Sequence, residues 1–257
     1  YLGKILLPGV LDTFKYLNDE GIYYVFFTNN SSHDLDFYFK KISDFGIKCS
    51  LEKNFYSSTE VTISYLKDQG IKNIYCVGNK SLKDKFAKHF NYIDRFDSSF
   101  NVEAVVCGFS TELVYDELKG ACLYLQTKDI PFIATNLDWR CPIEDGLYIP
   151  DCGGMCEWIY HCTGKKATVM GKPNPTVIDY LAKKFNVKKE EILVVGDRLY
   201  TDILVGMNAK VDTICVLCIS RFFQKFICFC DISLYVNISR EGIILSKDSV
   251  SNSAALQ

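Results

Sequence analysis

Short runs of uninterrupted apolar residues, each closed by a glycine or a small polar cluster and followed by an amphipathic segment, recur along most of this chain. Ile22 to Phe27, Ile74 to Val77, Ala104 to Cys107, Pro131 to Thr135 and Ile192 to Val195 are runs of this kind. A strand that is apolar on both sides has to be covered on both faces, the condition of a parallel sheet with helices above and below. The segments between supply the helices. Val10, Leu11, Phe14 and Leu17 share one face of a helix stopped by Gly21, and Phe37 to Phe45 repeats the pattern up to Gly46. Further helices are expected over Glu60 to Gln69, Leu82 to His89, Glu117 to Thr127, Met155 to Cys162 and Thr176 to Phe185. Strand and helix in regular alternation define an α/β fold built from βαβ units.

Charge and cysteine usage narrow the function classes. The 257 residues carry 29 basic and 31 acidic side chains, a net charge of −2, so the chain has no electrostatic footprint for nucleic acid or an anionic membrane. No apolar run is long enough to span a bilayer, and the expectation is a chain without a signal peptide. The 12 cysteines are scattered through strand-like runs, as at Cys76, Cys107, Cys215 and Cys218, in a chain too large to need staples. They read as reduced thiols of a cytoplasmic protein. Cys152, Cys156 and Cys162 come nearest to a metal cluster, but without a paired CxxC or HxxxH they read as core or surface thiols.

Three of the apolar runs end in chemistry. Ile22 to Phe27 delivers Thr28-Asn29-Asn30-Ser31-Ser32 and then opens a helix near Asp34. Hydroxyls, amides and the first N–H groups of a helix can share the oxygens of a bound anion, although the same residues also serve as N-caps and Asx-turns. Val169-Met170 leads into Gly171-Lys172-Pro173-Asn174-Pro175, where Lys172 is a point charge for phosphate or carboxylate, or a solvated turn lysine. Ile192 to Val195 leads through Gly196 to Asp197 and Asp202. Two carboxylates past the end of a buried strand make a hard oxygen site for Mg²⁺, or an acidic turn capping the next helix. Donors, a cation and paired carboxylates together form an electrostatic kit for phosphoryl transfer. A dinucleotide-binding reading finds no GxGxxG after any strand.

In this order, TNN, GKPxP and GDRxxTD resemble the motifs of the haloacid-dehalogenase (HAD) superfamily of phosphatases, in particular its NagD-type branch with para-nitrophenyl and phosphoglycolate phosphatases. The likeness runs from about Tyr1 to Leu217. It implies a Rossmann-like parallel-sheet HAD core, made of residues 1–54 and 169–220, with an α/β cap inserted at 55–168 and an atypical tail at 221–257. It further implies Thr28 and Lys172 as catalytic groups on the phosphoryl oxygens, and Asn29 and Asn30 beside them. Asp197 and Asp202 would be Mg²⁺ ligands. Asp138 and the loop from Trp139 to Gly154 would select the substrate from the cap. That substrate would be a small phosphorylated metabolite: a sugar phosphate, phosphoglycolate or a nucleotide. A homo-oligomer formed through the cap is compatible with the same likeness.

Two departures qualify the resemblance. The family carries DxDG on its first core strand, where the first Asp attacks phosphorus and the second serves as general acid and base. No DxDG occurs in these residues, and the chain starts with Tyr1-Leu2-Gly3, a segment similar to the one that follows that motif. Asp12 lies in an amphipathic helix and cannot substitute. The expectation is an inactive chain without its nucleophile, whose sheet lacks its central strand and leaves the neighbouring strands with unpaired edges. A non-catalytic phosphate-binding or interaction protein is the alternative. After Leu217 the likeness ends, and an aromatic, Cys-rich run from Phe226 to Val236 carries no functional signal.

Overall fold

Side chains of successive strand residues sort alternately onto the two faces of two five-stranded sheets. The computed structural model describes residues 6–30, 35–143, 147–216 and 232–237. The chain opens with α1 (Val10–Asp19), β1 (Tyr24–Thr28), α2 (Leu35–Asp44), α3 (Leu51–Asn54) and β2 (Phe55–Ser57). Then follow α4 (Ser58–Asp68), β3 (Asn73–Val77), α5 (Lys80–Ala87), β4 (Asn91–Ile93), β5 (Ala104–Cys107), α6 (Tyr115–Thr127) and β6 (Phe132–Ala134). A hairpin of β7 (Arg140–Pro142) and β8 (Tyr148–Pro150) precedes α7 (Cys152–Thr163) and β9 (Thr168–Val169). Last come α8 (Thr176–Phe185), β10 (Ile192–Gly196), α9 (Leu204–Ala209), β11 (Asp212–Cys215) and β12 (Ile232–Asn237).

One sheet has the order β11-β10-β12-β1-β2, the other β4-β3-β5-β6-β9. The second is parallel throughout, as continuous apolar runs demand. In the first, β10 with β11 and β1 with β2 are parallel pairs, and β12 runs antiparallel between β10 and β1. The unpaired edges expected on β1 and β10 are therefore absent: the six-residue strand at 232–237, inside what reads as an atypical tail, pairs with both. The expected domain boundary at residue 55 also shifts, because Phe55–Ser57 pairs with β1 and the chain enters the second sheet only after α4. The rest of the tail, with Arg221 to Phe223, lies outside the described residues, as do Tyr1 to Gly3 and Ser31 to Asp34.

The pleat explains the packing. On β1, Tyr24 and Phe26 face α1 and α2, joining Phe14, Leu17, Tyr38 and Ile42. Val25 and Phe27 face the other way, into a cluster with Val177, Ile178 and Leu181 of α8. That cluster continues into Ile74 and Cys76 of β3 and Val106 of β5, so a single apolar body joins the two sheets. Tyr75, Val77, Val105 and Cys107 point to the far face, covered by Ala121 and Tyr124 of α6 and Met155 and Ile159 of α7. Each fully buried aliphatic or aromatic side chain contributes about 1.5–3 kcal/mol relative to exposure, and β1, β3 and β5 are buried on both faces. Caps fix where the helices begin. Ser57 and Glu60 form a reciprocal capping box on α4, and Asn79 and Asp151 accept backbone N–H bonds at the starts of α5 and α7.

Candidate active site

Thr28 ends β1, Asn136 to Asp138 follow β6, Lys172 follows β9 and Asp197 follows β10, so each of these residues lies past the carboxyl end of a strand. A cleft opens there, lined by Asn29, Asn30, Asp138, Arg140, Cys141, Asp151, Lys172, Arg198 and Thr201. Open α/β sheets bind their ligands at this position, where strand ends and loops leave a crevice.

Lys172 is held from three sides. Its Nζ donates to Asp202 Oδ1 at 2.8 Å, its backbone N–H donates to Asn29 Oδ1 at 2.9 Å, and its carbonyl accepts from Asn29 Nδ2 at 2.9 Å. The ammonium also lies 5.8 Å from the centre of the Phe27 ring, within cation–π range. A solvated turn lysine would have none of this; Lys172 is only 4% exposed. The peptide bond to Pro173 is cis.

Asp202 organises the turn after β10. Its Oδ2 accepts from the backbone N–H groups of Asp197 and Arg198, while Oδ1 takes the Lys172 ammonium. The approach is close enough that a Cβ on Gly196 would sit 2.3 Å from the Asp202 Cβ, so only glycine fits that turn. Both oxygens of Asp197 are shielded from solvent. The two carboxylates therefore differ in their surroundings: Asp202 is committed to Lys172 and the turn, and Asp197 stands next to it at the strand end. Carboxylate oxygens are the donors Mg²⁺ prefers, so the chemistry of the Asp197 and Asp202 set fits that ion.

Thr28 Oγ1 accepts from the Asn30 N–H at 3.1 Å, closing a local turn at the end of β1. Asn29 extends the network across the cleft by donating to Asp138 Oδ2 at 3.1 Å. Asn136 donates to the same oxygen and to Asp151 Oδ1, tying Asp138 to the start of α7. Burial pushes the Asp151 carboxyl up to about 7, a rise reinforced by the nearby Asp138 charge. Arg140, Arg198 and the Asp202-bound Lys172 thus share the cleft lining with Asp138 and Asp151, so cations and carboxylates both face it.

Thr28, Asn29, Asn30, Asp138, Lys172, Asp197 and Asp202, the residues singled out in the sequence, converge in this one region. Arg140 and Asp151, which fall inside the loop from Trp139 to Gly154, join them, and so does Asn136, which had been assigned no role. Arg140 stands on the unanticipated β7–β8 hairpin, where its guanidinium stacks 4.2 Å from the centre of the Tyr148 ring. Arg198 lay in plain view inside GDRxxTD, and its position immediately after Asp197 was the available signal.

A two-sheet α/β protein with a polar, anion-suited cleft at its strand ends is the class these features define. Residues 1–90 match the haloacid dehalogenase-like hydrolase family model and residues 169–218 the HAD-hydrolase-like model. The ribonucleotide monophosphatase NagD of Escherichia coli K12 is 31% identical over 83% of this chain and 82% of its own length. The crystal structure of 4-nitrophenylphosphatase from Thermotoga maritima superposes with a TM-score of 0.75 at 38% identity, covering 84% of this chain and 81% of that one. Phosphoglycolate phosphatase 1A of Arabidopsis thaliana is 32% identical over 84% of this chain, which spans 65% of that relative's length. The chain belongs to the haloacid-dehalogenase-like hydrolases, in their NagD-like branch.

Proposed function

We propose that this chain forms the phosphate-gripping part of a phosphomonoester hydrolase site. The observation that carries the reading is Lys172 at the cleft, its ammonium bound to Asp202 and its backbone N–H and carbonyl bound to Asn29. Lys172 and the Thr28 hydroxyl would hold the phosphoryl oxygens, as a charge and a donor aimed at the same group. Asn29 keeps the lysine backbone in register with Asp138, and Asp202 keeps its head in place. Asp197 would hold Mg²⁺, which when bound supplies charge neutralisation at the phosphoryl group. Arg140, Asp138 and Asp151, on the other wall, meet the part of the substrate beyond the phosphate. Small phosphomonoesters are the class that fits, with sugar phosphates, phosphoglycolate and nucleoside monophosphates as its members. The names of the relatives support this: phosphoglycolate, 4-nitrophenyl, acid sugar and ribonucleotide phosphatases.

Hydrolysis by an aspartyl-phosphate needs a carboxylate nucleophile, and the DxDG that supplies it in the family does not occur in these 257 residues. The second reading, phosphate binding without turnover, is favoured by one observation: β12 fills the sheet position between β1 and β10. Calorimetric titration with inorganic phosphate in the presence of Mg²⁺, on the natural chain and on Lys172→Ala, tests the grip. Binding that disappears in the variant supports the reading; equal binding by both, or by neither, overturns it. Turnover of para-nitrophenyl phosphate after fusing a DxDG strand ahead of Tyr1 separates the two readings. Phosphate release identifies a hydrolase site, and binding without release identifies a binding protein. A cytoplasmic setting is part of the same proposal: the nine described cysteines are all unbridged thiols, and none of the described helices is long and apolar enough to cross a membrane.

A further inference from the structure

Three cysteines that are far apart in sequence meet in the apolar layer beneath α7. Cys107 is the last residue of β5, Cys152 the first of α7, and Cys156 lies one turn further along the same helix. The Sγ atoms of Cys107 and Cys152 are 3.9 Å apart, those of Cys152 and Cys156 3.8 Å, and all three lie within 4.8 Å of one another. Their side chains are 0%, 0% and 4% exposed. Val105, Ala134, Met155 and Ile159 belong to the same cluster and keep it dry.

The spacing matters. Thiolate bonds of about 2.3 Å to a metal place the sulfurs roughly 3.8 Å apart around a tetrahedral ion and roughly 4.0 Å apart around a trigonal one. Two of the sulfur–sulfur distances already fall in that range, so an ion could enter with little movement of β5 or α7. Soft thiolates select soft d¹⁰ cations over Mg²⁺, which keeps such a site chemically separate from the carboxylates of the cleft. No further His, Cys, Asp or Glu joins the three among the described residues, which suits a three-coordinate ion or one completed by a water molecule.

We propose that Cys107, Cys152 and Cys156 form a buried three-thiolate site for a soft d¹⁰ cation of the Zn²⁺ or Cu⁺ class. A bound ion would pin the first turn of α7 to the end of β5. Asp151, which caps α7 and lines the cleft, accepts from the Cys152 N–H, so the pin would also fix that wall of the cleft. The proposal is independent of what the cleft binds.

The test is a competition titration of the reduced, metal-free full chain with Zn²⁺ and, separately, with Cu⁺, each against a chromophoric chelator. A single equivalent should bind and thermal stability should rise with it. Both effects should vanish in Cys107→Ala and Cys156→Ser and persist in Cys162→Ser/Cys215→Ser, whose thiols are exposed. Cu⁺ binding without Zn²⁺ binding marks a three-coordinate site, and binding of both marks one completed by solvent. Failure to compete with the chelator, or binding that survives Cys156→Ser, overturns the proposal, as does a disulfide among the three in the isolated protein. Should a variant fail to fold, alkylation followed by peptide mass analysis decides the matter on the natural chain. The ion must slow modification of these three thiols but not of Cys162, and unchanged rates sink the idea.

Discussion

Lys172 Nζ and Asp202 Oδ1 are 2.8 Å apart, with side chains 4% and 0% exposed, and this pair binds the loop after β9 to the turn after β10. A pair so far from water is bound to its partner in both senses. Removing one member leaves the other as an uncompensated buried charge, a loss of about 3–5 kcal/mol. Lys172→Met should therefore destabilise the protein by that amount in urea denaturation and abolish phosphate binding. Combining it with Asp202→Asn should restore part of the stability, since the stranded carboxylate is gone, while binding stays lost. Additive effects of the two substitutions would show that the ion pair is not coupled in the folded protein.

Gly171 carries the second prediction. A Cβ there would lie 2.5 Å from the Thr135 carbonyl oxygen and 2.6 Å from Asn29 Oδ1. The first of these is backbone and cannot rotate away; the second is the oxygen that receives the Lys172 N–H. Gly171→Ala should cost about 1–3 kcal/mol of stability, as overpacking does, and weaken phosphate binding by displacing Asn29. A variant as stable as the natural chain, with unchanged affinity, would mean the loop can move aside.

How far the sequence could be read depended on how local the determinants were. Continuous apolar runs in β1, β3, β5 and β10 announce strands covered on both faces, and the runs lie where the strands form. The face of α1 that carries Phe14 and Leu17 follows from a helical period within ten residues. Thr28, Lys172 and Asp197 were legible because each closes an apolar run. What escaped was non-local. Nothing near residue 232 specifies that its strand will lie antiparallel between two partners that begin at Tyr24 and Ile192. Cys107 gives no hint that it will meet Cys152 and Cys156, because their proximity depends on how α7 packs across β5. The β7–β8 hairpin was hidden in the loop from Trp139 to Gly154, since three-residue strands carry too few positions to show a period.

Glu103 provides a pH-dependent prediction. Its Oε2 accepts from the backbone N–H groups of Lys72 and Asn73, which hold the carboxyl below the usual glutamate value of 4.5. A carboxyl lowered by folding lends stability above 4.5, and that contribution is lost as the pH falls from 4.5 through the folded-state value. Glu103→Gln should lower the melting temperature near neutral pH and flatten its decline on the acid side. Identical melting curves across that range would show that the two hydrogen bonds do not bear on folding.

The last prediction concerns β12. Five residues of β1 and four of β10 are paired with this one strand, so it supplies the only bridge between the β1–β2 and β10–β11 pairs in the described sheet. Tyr235 lies opposite Val25 on one side and Val194 on the other, and Leu234 lies opposite Phe26 and Val195. Neighbouring residues of a strand aim their N–H groups at opposite sides and proline has none to donate, so the double variant Leu234→Pro/Tyr235→Pro should remove a donor from each ladder. The exposed edges of β1 and β10 would then invite pairing with other chains. Hydrogen exchange should show faster exchange at amides of Val25 to Thr28 and Leu193 to Val195, with those of β3 and β5 left protected. Light scattering should report association. Unchanged protection in β1 and β10 would mean that residues 232–237 do not hold this position in solution, and the two strand pairs would have to be joined in another way.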